Sequence, residues 1–151
     1  VSESFDAFVS VGLLDAEYDG FIADLDGANA EGLVEPTNND YLTPKYAPEM
    51  TASFGGTYTT KLGDGELQLF AKYSFVDEVY TITDNRDVGK ISSTEKIDAS
   101  VTFIKDNYKI SLFGRNLTDE ITTPVRDISS LMIFGSPSVG TVYGITLSAN
   151  F

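Results

Sequence analysis

The stretch PEMTASFGGTYTTKL, Pro48 to Leu62, decides the fold. Its even positions read Pro48, Met50, Ala52, Phe54, Gly56, Tyr58, Thr60 and Leu62; its odd positions read Glu49, Thr51, Ser53, Gly55, Thr57, Thr59 and Lys61. A helix cannot sort residues with a period of two, whereas a strand sends successive side chains to opposite faces. The segment is a strand with one apolar and one polar face.

The same period recurs on both sides of it. Leu67, Leu69, Ala71, Tyr73 and Phe75 alternate with Gln68, Lys72 and Ser74. Ile97, Ala99, Val101 and Phe103 alternate with Lys96, Asp98, Ser100 and Thr102. Tyr108, Ile110 and Leu112 oppose Lys109, Ser111 and Arg115, and Tyr143, Ile145, Leu147, Ala149 and Phe151 oppose Gly144, Thr146, Ser148 and Asn150. Phe5–Leu14 alternates less cleanly, with Phe8 and Leu14 on its polar side; Phe70, Val76 and Phe113 are similar exceptions. The spacing predicts an all-β antiparallel meander of about six long strands in one unit, 1–151, at about 5–15, 48–62, 66–80, 95–105, 108–117 and 141–151.

The connections discriminate between two architectures. Gly63-Asp64-Gly65 and Asp106-Asn107 are tight hairpin signals. The other links run to about 30, 14 and 23 residues (17–47, 81–94 and 118–140), so short and long alternate. Soluble domains rarely carry such loops. Outer-membrane barrels have short turns at one end, long loops at the other, and strands of roughly ten alternating residues. A soluble β domain burying its apolar face remains the alternative.

Composition narrows the function. Of 151 residues 42% are hydrophobic, and 23 acids against 10 bases leave a net charge of −13. That balance argues against nucleic acid, which requires a basic footprint. Ten acids and no base precede Lys45. The chain has no histidine and no cysteine, which removes Ser-His-Asp and Cys-His catalysis, His-ligated zinc, thiolates and disulfides. The expectation is a non-enzyme without a cofactor. No apolar run reaches the ~20 residues of a membrane helix. No basic-then-apolar leader follows Val1, so the chain is expected to be a mature form or a piece of something longer.

DAEYDGFIADLD, Asp15 to Asp26, nearly spells a calcium loop, with Asp15, Glu17 and Asp19 at the first, third and fifth positions, Gly20 at the sixth and Asp26 at the twelfth. Yet the segment before it alternates like a strand where an EF-hand needs a helix. A solvated acidic loop is the expected reading, with Asp15, Glu17, Asp19 and Asp26 as a weak calcium candidate. Asp24/Asp26 and Asp84/Asp87 resemble carboxylate pairs, but loop acids this dense are expected to be solvated. Asn116-Leu117-Thr118 fits a glycosylation sequon, and a strand-to-loop turn is the expected reading.

Several motifs together resemble the TonB-dependent outer-membrane receptors. Tyr46–Tyr80 is similar to a hairpin near the end of that barrel, with an Ala-Pro-Glu lead-in and a Gly-rich turn. Phe113-Gly114-Arg115-Asn116-Leu117-Thr118-Asp119-Glu120 resembles the penultimate strand running into the last loop. Val142–Phe151 looks like the closing strand with its terminal aromatic, and Gly12–Phe21 like a strand-to-loop passage.

The resemblance implies the C-terminal section of a 22-stranded barrel in the bacterial outer membrane, with the long loops outside. It implies TonB-energised uptake of a scarce nutrient, an iron–siderophore complex first. The partners implied are outer-membrane lipid and lipopolysaccharide, the TonB complex acting through a plug region absent from this chain, the barrel assembly machinery and a small-molecule ligand. A passive porin or adhesin barrel, or a soluble domain binding calcium or glycan, are the alternatives. Tyr18, Phe21, Arg86, Arg115 and Arg126 are the candidate ligand contacts in loops or lumen, since arginine grips anions bidentately. Tyr143 and Phe151 are the candidate assembly signal. Tyr58, Phe103, Tyr108 and Phe151 would gather at the short-turn rim, and Phe75 and Tyr143 toward the other, as aromatic girdles do.

Overall fold

A computed structural model describes residues 4–27, 32–123, 125–128 and 133–150. In chain order the strands are β1 (Ser4–Leu13), β2 (Ile22–Ala23), β3 (Thr37–Asn38), β4 (Met50–Leu62), β5 (Gly65–Val76), β6 (Val79–Tyr80), β7 (Lys90–Ile91), β8 (Thr94–Lys105), β9 (Tyr108–Arg115), β10 (Val125–Ile128), β11 (Ile133–Ser136) and β12 (Val142–Ala149). A 3-10 turn, Asp87–Gly89, precedes β7, and there is no α-helix among the described residues.

The six long strands form one antiparallel sheet in the order β1-β4-β5-β8-β9-β12, which is sequence order. The fold is an all-β meander, and the sheet is not closed. Thr, Val, Ile, Tyr and Phe dominate its strands, as a pleated half-covered surface favours. β4 and β5 join through Gly63-Asp64 and β8 and β9 through Asp106-Asn107; Gly63 (φ 61°) and Asp106 (φ 52°) supply the left-handed backbone that such tight turns need.

Register fixes the two faces. Ser4, Thr59, Gln68, Thr102, Ser111 and Thr146 lie opposite one another in a single row, and Phe5, Tyr58, Leu69, Val101, Leu112 and Ile145 form the row beside it on the other face. The exceptions to alternation have a packing reason. Phe8 lies opposite Gly55, and its ring is 3.0 Å from where a Cβ would stand. Phe113 covers Gly144 in the same way. These aromatics fill gaps that the glycines leave on the polar face.

Strand ends differ from expectation by a few residues. The third strand stops at Val76, where the Asp77 amide donates to the Met50 carbonyl (2.9 Å) and the chain leaves the sheet. The fifth stops at Arg115, because Asn116 takes φ 52° and its amide donates to Asp98 Oδ1 (2.8 Å). The long links are not structureless. β2 pairs with β3 in the first, β6 with β7 in the second and β10 with β11 in the third.

The described residues form no hydrophobic core in the ordinary sense. Among the described residues the one buried hydrophobic is Leu42, in the first link, while Asn39, Thr59, Thr81, Thr102 and Asn116 are buried polar groups. Val9 (77% exposed), Ile145 (65%) and Leu147 (74%) stand open on the apolar face.

Candidate functional site

The three long links leave the same end of the sheet, and the first two are tied to each other. The Thr43 amide donates to Asn85 Oδ1 (2.6 Å), and Asn85 Nδ2 donates back to the Thr43 carbonyl (3.0 Å). The Tyr46 amide donates to the Tyr80 carbonyl (3.0 Å). Asn85 sits at φ 50°, a conformation that asparagine tolerates better than most residues.

The first link is organised by Asn38-Asn39-Asp40. Asn39 is 2% exposed; its Nδ2 donates to the carbonyls of Ala23 (2.9 Å) and Thr37 (2.8 Å), and its amide to Phe21 (2.8 Å). Asp40 accepts from the Phe21 amide (2.6 Å) and from Asn38 Nδ2 (2.8 Å). The Phe21 amide is the main reason that its carboxyl falls below the ordinary value of 3.8, with Asn38 adding to it.

The third link begins in a polar knot. Asn116 Oδ1 accepts from the Glu120 amide (3.0 Å), and its Nδ2 donates to the Glu120 carbonyl (2.9 Å). Thr141 Oγ1 donates to the Asn116 carbonyl (2.8 Å), and Asp119 Oδ1 accepts from the Thr141 amide (2.9 Å). Thr118 Oγ1 donates to the Glu95 carbonyl (2.7 Å). The Asn-Leu-Thr-Asp run is thus the clasp joining the end of β9 to the start of β12, and Asn116 is buried.

Two clefts of about 400 and 410 Å³ open around Tyr41 and Leu42. Asp26, Asn39, Asp84 and Arg86 line the first; Asp15, Glu17, Tyr18, Asp40 and Glu49 line the second. Both fall within the range of small-molecule sites. A smaller one, about 160 Å³, continues past Glu49 to Asp77, Glu78 and Tyr80. Carboxylates outnumber cations in all three. Arg86, the one cation among the residues lining them, is held by Asp84 at 2.6 Å. Nearby, Lys90 pairs with Glu78 at 2.7 Å and lies 5.8 Å from the Tyr80 ring centre; that carboxylate is the main cause of its raised pKa. The field in these clefts repels anions and accommodates neutral or cationic groups.

The sequence candidates divide accordingly. Tyr18 lines the second cleft and stacks on Phe21, ring centres 4.6 Å apart. Arg86 lines the first, with its Nε held by Asp84. Arg115 stands apart at the end of β9, over the Phe113 ring at 5.2 Å. The backbone of Arg126 is in β10, and its side chain lies outside the described residues, as does Phe151. Tyr143 lies 75% exposed on the apolar face, beside Gly114. Asp15, Glu17, Asp19 and Asp26 form no cage. Strand β1 and not a helix leads into them, and no group of three or more such ligands converges among the described residues. Asp24 instead accepts the Asp26 and Gly27 amides (3.1 and 2.8 Å), closing its own turn.

Sequence reasoning missed Asn39, Tyr41, Leu42 and Asn85. The Asn-Asn-Asp run was a legible turn signal, but its partners 16 residues back are not visible in a linear chain. No protein-family model, no characterised protein and no solved structure matches this chain.

Proposed function

We propose that this chain is a section of an outer-membrane β-barrel of the TonB-dependent receptor type, contributing wall and external loops to the uptake of a scarce nutrient such as a ferric siderophore. The observation that carries the membrane part is the reversal of burial across the sheet. The apolar face lies open while threonines on the polar face are sheltered, Thr59 at 8% and Thr102 at 6% exposed. An apolar surface of this extent marks a lipid or protein contact.

The dimensions fit lipid. On the apolar face of the described sheet the only charges are Glu95 and Lys105, at the two ends of β8. Ten rises of about 3.3 Å, tilted by about 40°, give roughly 25 Å between them, the height of a barrel's apolar band. Strands β1 and β12 each leave one edge unpaired, which hydrocarbon does not tolerate. The reading therefore requires further strands, from the remainder of a longer receptor or from partner chains.

The receptor part rests on motif resemblance and on the clefted, interlocked long links. Acid-lined clefts favour a neutral or cationic metal complex over a strongly anionic one. The test is uptake of a labelled ferric complex by host cells with and without the gene, and with TonB active or inactive. Uptake that requires both supports the receptor; uptake that requires the gene and ignores TonB supports the passive porin instead.

A further inference from the structure

An apolar pocket of about 310 Å³ lies at the short-turn end of the sheet, lined by Phe103, Lys105, Tyr108, Ile110, Leu147 and Ala149 among others. Those six share the apolar face. Phe103 is opposite Ile110, Ile110 opposite Leu147, Lys105 opposite Tyr108, and Tyr108 opposite Ala149. Lys105 is the only cation on that face of the described sheet; the other cation lining the pocket, Lys109, belongs to the polar face of β9. Its Nζ is 3.4 Å from Asp64, a loose pair in which the lysine side chain stays 47% exposed and the aspartate 90%. Tyr108 stands 63% exposed beside it.

We propose that this pocket is a binding site for an anionic phospholipid, with one acyl chain over Phe103, Ile110 and Leu147 and the headgroup phosphate on Lys105. The inference rests on the outer-membrane reading above. A lysine at the border of an apolar face lays its stem along the hydrocarbon and puts its ammonium at headgroup depth. A tyrosine beside it offers a ring to the chain and a hydroxyl to the interface. The charge is complementary to a phosphate that carries a net negative charge, as in phosphatidylglycerol. A zwitterionic headgroup brings its own cation and gains less. Asp64 competes for the same ammonium, so its carboxylate weakens the site.

The test uses the full protein extracted from host membranes and incorporated in nanodiscs of equal phosphatidylglycerol and phosphatidylcholine. After release into detergent, the lipid retained per protein is counted by native mass spectrometry. A preference of about fivefold for phosphatidylglycerol is expected, the worth of one lysine at a lipid surface. Lys105→Gln should abolish that preference, Lys105→Arg keep it, and Asp64→Asn raise it. Lys61→Gln, at the same end but on the polar face opposite Glu66, should leave it unchanged. Equal retention of the two lipids, or a preference that survives Lys105→Gln, overturns the lipid site and leaves the barrel reading intact. A protein that retains neither lipid and stays dissolved without detergent overturns the barrel reading itself.

Discussion

The two faces of the sheet obey opposite rules. On the polar face of the central strands small hydroxyl residues sit sheltered, as in the 2.8 Å contact between Thr102 Oγ1 and Ser111 Oγ, and Lys72 lies opposite Asp98. On the apolar face Phe5, Val9, Leu13, Ile145 and Leu147 are each well over half exposed. In water that arrangement is upside down, since burial of apolar surface is what stabilises a soluble domain. That is the ground on which we propose a lipid-facing side for this sheet. On that proposal the backbone ladder holds the sheet together and lipid would take the place of a second layer.

The contrast can be broken most forcefully at mid-strand. Val101→Arg or Leu69→Arg on the apolar face should destabilise the protein in lipid vesicles by about 2–4 kcal/mol, as charge at the bilayer midplane does. Thr146→Arg, on the polar face, should cost well under half of that. Denaturant unfolding in vesicles measures both, and similar losses for the two faces would refute the assignment.

A smaller effect is expected where the sheet meets its links. Asn116→Ala removes the paired bonds to Glu120 and puts alanine at φ 52°, at a cost of about 1–3 kcal/mol confined to the third link. Hydrogen exchange should quicken at 117–120 and 141 while the β4–β5 ladder stays protected. Loss of protection throughout the sheet would show that the clasp is not local.

Asn85→Ala should leave the sheet and its membrane insertion unchanged and loosen the first link from the second, since both bonds to Thr43 go with the amide. Uptake should then fall while the amount of inserted protein holds. Failure of insertion would place Asn85 in the folding of the sheet and not only in the tie between the two links.

The smallest effect is on acidification. Asp40 has a folded-state pKa below 3.8, so its contribution to the first link is complete above that value and is lost as pH falls through the lower, folded-state one. The link should loosen only in that acid window, read by tyrosine fluorescence, as the chain has no tryptophan. Asp40→Asn should remove the step; an identical acid transition in the variant would assign it to another group.

How much was legible divides along the same line. The faces, the strand order and both tight turns were readable, because a period of two and a Gly-Asp or Asp-Asn pair are local signals. Phe8 and Phe113 broke the period for a reason visible only once Gly55 and Gly144 stood opposite them. The arrangement of the long links was poorly legible. Their acids and Tyr18 stood out by residue type, but Asn39, Asn85 and Asn116 act through partners up to 42 residues away. Arg86 was singled out for its charge, which the neighbouring Asp84 takes up.

The central claim, that lipid covers the apolar face, has a direct test that the absence of cysteine makes clean. Single cysteines at Leu69, Val101 and Ile145 on one face, and at Lys72, Asp98 and Thr146 on the other, are probed in intact membranes with a charged, water-soluble thiol reagent. Strong labelling at Lys72, Asp98 and Thr146 is predicted, with little at the other three until detergent denatures the protein. Equal labelling of both sets in the intact membrane would contradict it and return the chain to the soluble β domains.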